Sequence, residues 1–78
     1  MNFTPERDMA KREWKIEAKL DSRAIEWSYD DVKDAQRAWR YMSRERKTID
    51  TNDPVITATI RMPNGNIFYL GEIGLSWR

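Results

Sequence analysis

The stretch from Ser28 to Lys47 most constrains what this chain can fold into. It reads Ser-Tyr-Asp-Asp-Val-Lys-Asp-Ala-Gln-Arg-Ala-Trp-Arg-Tyr-Met-Ser-Arg-Glu-Arg-Lys. No other segment is long and periodic enough to predict a helix by itself. Ser28 can cap a free amide, Asp31 stands where a capping box places its acid, and Trp27 and Val32 are spaced as a hydrophobic staple. Asp30, Asp31 and Asp34 lie near the N-terminal end, and Arg40, Arg44, Arg46 and Lys47 lie toward the C-terminal end. Both placements complement the helix dipole. At about 100° per residue, Val32, Ala35, Ala38, Trp39 and Met42 share an arc of about 120°. A helix with one apolar stripe needs a surface to cover, with Trp39 read as core.

The flanking segments supply that surface as strands. Glu13 to Leu20 alternates polar and apolar without a break, which predicts a half-buried strand with Trp14, Ile16, Ala18 and Leu20 on its inner face. Asp21-Ser22-Arg23 reads as a turn and Ala24 to Trp27 as a short return strand. Thr48 to Pro54 is a turn-rich connection. Val55 to Met62 and Asn66 to Leu70 then form a hairpin about Pro63-Asn64-Gly65. Asn64-Gly65 alone would fit a two-residue loop. Pro63 favours a three-residue loop, a type I turn with Gly65 left-handed in a bulge. That loop pairs Met62 with Asn66, Ile60 with Phe68 and Ala58 with Leu70. Ile56, Ala58, Ile60, Phe68 and Leu70 then share the core face, and Thr57, Thr59, Arg61 and Tyr69 the other. After Leu70 the apolar parity slips to Ile73, Leu75 and Trp77, with Gly71 or Gly74 in a bulge. The expected fold is α+β: a four-stranded antiparallel sheet in the order β-β-α-β-β, with one amphipathic helix on one face. Residues 1–78 form a single domain, with 1–12 as a loose arm in which Thr4-Pro5-Glu6 can begin one helical turn.

The residue inventory narrows the chemistry. The 78 residues include no cysteine and no histidine. That removes thiolate metal sites, the commonest zinc ligand and the usual general base. Ser22, Ser28, Ser43 and Ser76 have no imidazole to activate them. Asp30-Asp31 is explained by the helix N-terminus, and Asp50, Asn52 and Asp53 by turn chemistry rather than a hard-cation site. No catalytic residue, metal ligand or cofactor site is assigned, and the chain is not expected to be an enzyme. No apolar run approaches the ~18 residues of a membrane span. Met1 to Glu6 lacks the layout of a signal peptide. The expectation is a cytoplasmic protein without membrane contact. The core must rest on packing, for which four tryptophans supply large apolar area.

The helix also has an outer stripe. Lys33, Arg37, Arg40, Arg44 and Lys47 fall within an arc of about 80°, along about 20 Å of axis, with Tyr41 beside them. Asp30 can pair with Lys33 and Asp34 with Arg37 at helical spacing, which is how a merely solvated face would look. The half from Arg40 to Lys47 has only Glu45 nearby. The candidate partner-binding residues are therefore Lys33, Arg37, Arg40, Tyr41, Arg44 and Lys47, with Tyr69 and Trp77 as further contacts. Net charge is only +1, so segregation of the charges matters more than their sum.

The strand carrying Lys15-Ile16-Glu17-Ala18, the alanine-punctuated helix, the Asn-Gly hairpin and the terminal strand ending in Trp77 resemble small phage-encoded α/β proteins. Among these the layout is most similar to anti-CRISPR inhibitors of type I systems. The resemblance spans roughly residues 14–77, rests on architecture and transfers no functional residue. It implies a compact non-enzymatic inhibitor acting in the host cytoplasm on a larger host protein or nucleoprotein complex. Two other readings stand beside it. One is direct nucleic-acid binding through the basic helix face, with Tyr41 or Tyr69 stacking on bases. The other is a small structural subunit that self-assembles through a sheet edge and the tail Ile73, Leu75 and Trp77. A monomer and a homodimer are both compatible with the sequence.

Overall fold

Alternating side chains make Trp14–Lys19 the strand β1 at the centre of the sheet. The computed structural model describes residues 13–72, 75 and 77. The arm expected over 1–12, with its turn at Thr4, lies outside the described residues, as do Ile73, Gly74, Ser76 and Arg78. The remaining elements are β2 (Ala24–Tyr29), α1 (Val32–Glu45), β3 (Thr57–Arg61) and β4 (Ile67–Tyr69). The strands form one antiparallel sheet in the spatial order β2-β1-β3-β4. The fold is α+β, with α1 laid over β1 and β2.

The helix buries the stripe its sequence prescribes. Ala35, Ala38, Trp39 and Met42 are buried, and Val32 is half-buried. They meet Trp14, Ile16 and Ala18 of β1 and Ala58 and Ile60 of β3 in one core, completed by Val55 and Met62. Trp27 and Tyr29 of β2, and Phe68 and Leu70 from the β4 side, pack around it half-buried. Leu75 and Trp77 join the same side, with the Trp77 ring tilted against Trp14 at a centroid distance of 5.3 Å. Trp14 Nε1 has no hydrogen-bond acceptor among the described residues, so this residue contributes through ring area and the Trp77 contact. Two members of the apolar tail, Leu75 and Trp77, are thus packed against the core and half-buried.

The hairpin β3–β4 adopts the three-residue loop. Met62 N–H donates to Asn66 O at 2.9 Å, Gly65 N–H donates to Met62 O at 2.9 Å, and Ile60 lies opposite Phe68. Leu70 N–H donates to Ala58 O at 2.8 Å. Gly65 has φ +95° and a Cβ there would meet nothing within 4 Å. Glycine is required for its backbone conformation, not for space. Gly71, at φ +96°, sits in a turn closed by Glu72 N–H to Tyr69 O, which ends the strand.

Four expectations are corrected. Ser28 neither ends β2 nor caps α1. The strand continues through Ser28 and Tyr29, which pair with Lys15 and Trp14. The cap is Asp31, whose carboxylate accepts from Lys33 N–H at 2.9 Å. Extending β2 lets the Tyr29 ring pack on the core, and Asp31 brings a negative charge to the dipole that Ser28 lacks. Trp27 is therefore a strand residue, not a staple. The helix stops at Glu45, because Arg46 turns left-handed (φ 57°, ψ 36°) and donates its N–H to Met42 O. Lys47 then lies in the neck of the following loop, bridged to Pro54, and leaves the helix stripe. Finally, Ile56 is 62% exposed. Val55 N–H donates to Arg46 O, so Val55 is drawn to the helix end and takes the core position. Regular pairing begins one residue after Ile56, at Thr57.

Candidate basic interface on the helix

Loop 48–53 folds back beside the outer face of α1. Thr48, fully buried, organises it. Its hydroxyl accepts from Asp53 N–H at 2.9 Å and lies 2.7 Å from Thr51 Oγ1. Its backbone N–H donates to Asp53 O, and Asn52 N–H donates to Thr48 O. Asn52 closes the ring in a left-handed conformation (φ 58°), which asparagine tolerates better than most residues.

Three side-chain bonds fasten this loop to the body. Tyr41 Oη donates to Asn52 Oδ1. Trp27 Nε1 donates to Asp50 Oδ2 at 3.1 Å. Arg23 donates to Asp53 Oδ2 at 2.8 Å, and Thr51 Oγ1 reaches the same oxygen at 2.8 Å. Asp50, Asn52 and Asp53 are thus each engaged by a neighbour. Among the described residues, no group of three or more acidic side chains could hold a metal ion. The Tyr29 hydroxyl is held above its ordinary pKa, first by burial and then by the carboxylates of Asp50 and Asp34.

Between helix and loop runs an open groove of about 540 Å³, lined by Lys33, Gln36, Arg37, Arg40, Tyr41, Arg44 and Ile49. Five of the six sequence-predicted residues come together here. Lys47 does not, because the left-handed turn at Arg46 carries it into the loop neck. Gln36 and Ile49 were not foreseen. The available signal for Ile49 was an isoleucine alone among polar turn residues. Of the second-rank candidates, Tyr69 is exposed on the opposite face of the sheet, while Trp77 is half-buried against Trp14.

The groove is basic with a partly apolar floor. Asp34 reaches Arg37 at 3.5 Å, and Glu45 reaches Arg44 at 3.1 Å. Both pairs are exposed, and such pairs contribute little. The expected pair of Asp30 with Lys33 does not form. Among the described residues, Lys33 and Arg40 have no ion-pair partner. Tyr41 and Ile49, both half-buried, supply the floor. Arg offers a planar fork of donors suited to carboxylate or phosphate. A second groove, of about 530 Å³ along Leu20, Arg23, Pro54 and Ile56, has its arginine already neutralised by Asp53. No helix among the described residues is long and apolar enough to cross a membrane.

Comparison with protein families, with curated proteins and with solved structures found no match. The functional reading therefore rests on the geometry of the groove.

Proposed function

We propose that this protein is a small non-enzymatic binding protein that grips an anionic surface of a larger protein or nucleoprotein with the helix groove. The observation that carries this reading is the unbalanced charge. Lys33, Arg37, Arg40 and Arg44 line one face, with only Asp34 and Glu45 paired to them. Tyr41 and Ile49 add apolar contact at the centre, where interface energy concentrates. Loop 48–53 holds that floor in place before a partner arrives, which lowers the ordering cost of binding. A phage-type inhibitor of a surveillance complex, of the anti-CRISPR kind that the layout resembles, is the setting in which such a protein would act.

The test is affinity capture from host lysate, with and without nuclease, using wild-type protein and the Arg40→Glu, Arg44→Glu double variant. Both side chains are exposed, so the variant keeps the fold. The expected result is a nuclease-resistant partner that the variant no longer retains. Equal retention by the variant would remove the groove as the contact.

Direct nucleic-acid binding is the second reading, favoured by the same four cations. Four phosphate contacts on duplex DNA would give a salt slope near −3.6, from about 0.9 per contact. A gel-shift assay at low salt decides it. No retardation at roughly tens of micromolar protein at low salt, where ordinary non-specific binding is tighter than its physiological-salt range, removes this reading.

A further inference from the structure

The sheet face turned away from α1 carries its charges in registered bands. One row runs from Lys15 on β1 through Arg61 on β3 to Ile67 on β4. The next runs through Glu26, Glu17, Thr59 and Tyr69. A third holds Lys19 and Thr57. Rows on one face are two residues apart, about 7 Å along the strand. The signs thus alternate: positive, negative, positive. Glu17 and Glu26 lie directly opposite each other, an arrangement that costs stability within a single sheet. Lys15 offsets part of that cost from 3.6 Å to Glu26. Glu17, Lys19 and Arg61 have no ion-pair partner among the described residues. At the β4 side, Ile67 and Tyr69 are 53% and 56% exposed.

We infer that this face docks on the same face of a second copy of the chain, as a two-fold pair of stacked sheets. A two-fold axis lying between the sheets, across the strands and midway between the first two rows, exchanges those rows. It sets Lys15 of one copy over Glu17 of the other, and again in reverse. The same rotation brings Ile67 of each copy toward Tyr69 of its partner. Self-complementarity of this kind is what a two-fold contact demands, and aligned stacking about 10 Å apart is an ordinary sheet geometry. A polyanion would meet the Glu17–Glu26 band as repulsion, so charge favours a second copy over nucleic acid. Four strands at about 4.8 Å spacing present a face only roughly 20 Å wide. That area is at the small end of specific interfaces, so association is weak and concentration-dependent. The face lies across the sheet from the helix groove, and its test is independent of the groove's role.

Sedimentation velocity over roughly 10 µM to 1 mM, a range suited to a small interface, reads the outcome. The wild type is expected to shift from monomer to dimer across that range. Lys15→Glu and Glu17→Lys each place like charges over one another and should raise the midpoint at least tenfold. The double variant restores opposite charges across the contact and should recover dimerisation, which separates docking from misfolding. Glu17→Lys also relieves the clash with Glu26, so that chain folds at least as well as wild type. A wild type that stays monomeric throughout overturns the inference. So does a dimer indifferent to these substitutions. A monomer whose Thr59 and Tyr69 amide resonances move on adding a single-stranded oligonucleotide would give the face to nucleic acid instead.

Discussion

Thr48→Val changes one buried hydroxyl to a methyl and leaves the shape of the side chain intact. In the folded protein that hydroxyl accepts from Asp53 N–H and shares a hydrogen bond with Thr51. Valine removes both bonds and strands a backbone donor. Each lost bond costs about 1 kcal/mol, and an unpaired buried donor about 1–3 kcal/mol. The expected loss is about 2–4 kcal/mol, against a total stability of roughly 4–8 kcal/mol for a chain of this size. For so small a domain this lowers the melting temperature by roughly 10–25 °C. Thermal and urea unfolding followed by circular dichroism give the global figure. The Trp27 indole N–H resonance gives the local one, because Asp50 reaches Trp27 only while the loop ring is closed. A drop under about 5 °C, corresponding to about 1 kcal/mol, with an unmoved indole resonance would refute the assignment of Thr48 as the organiser of the groove wall.

Asp31→Ala should cost about 1 kcal/mol as loss of a cap, while Ser28→Ala should cost under about 0.5 kcal/mol, since Ser28 is an exposed strand residue. Urea denaturation of the two variants distinguishes the cap assigned by the structure from the one the sequence favours. Arg46→Gly should raise stability by about 1 kcal/mol, because a left-handed backbone strains every residue with a Cβ. Tyr29 keeps its proton to higher pH in the folded chain than in the unfolded one. Its stabilising contribution is therefore complete below the unfolded value near pH 10 and is lost as pH rises through the higher folded value. Alkaline unfolding curves of Tyr29→Phe should accordingly fall less steeply above about pH 10 than those of the wild type.

The elements that were legible in the sequence are those decided locally. Pro63-Asn64-Gly65 and the parity of Ile60 and Phe68 fix the hairpin register, because a slip by one residue would turn every apolar side chain outward. The alternation of β1 and the stripe of α1 are equally local. What was not legible depends on partners far along the chain. Whether Ser28 caps or pairs is decided by Lys15 and Trp14, which give the strand two more positions. Lys47 leaves the ridge because a left-handed Arg46 is held by Val55, and no glycine announces that turn. Five of the six helix residues of the groove follow from spacing alone, Gln36 being the exception. Its other wall needs Tyr41 to find Asn52 and Trp27 to find Asp50, pairings that no periodicity encodes.

The strand order has a kinetic consequence. Each hairpin and the helix closes over a short loop, on the microsecond scale typical of such elements. The β1–β3 seam instead joins Lys15 with Arg61, 46 positions apart, and Ala18 with Ala58, 40 positions apart. Folding should therefore wait on a single long closure, with the two hairpins and α1 flickering in and out beforehand. At the seam's centre, Ala18 faces Ala58 and Ile16 faces Ile60, all without solvent exposure beyond 1%. Truncating Ile60 should slow refolding, whereas loosening the Pro63–Gly65 turn should chiefly hasten unfolding. The seam, whose outward side chains include Lys15, Glu17, Thr59 and Arg61, thus sets how quickly a newly made chain presents any finished surface at all.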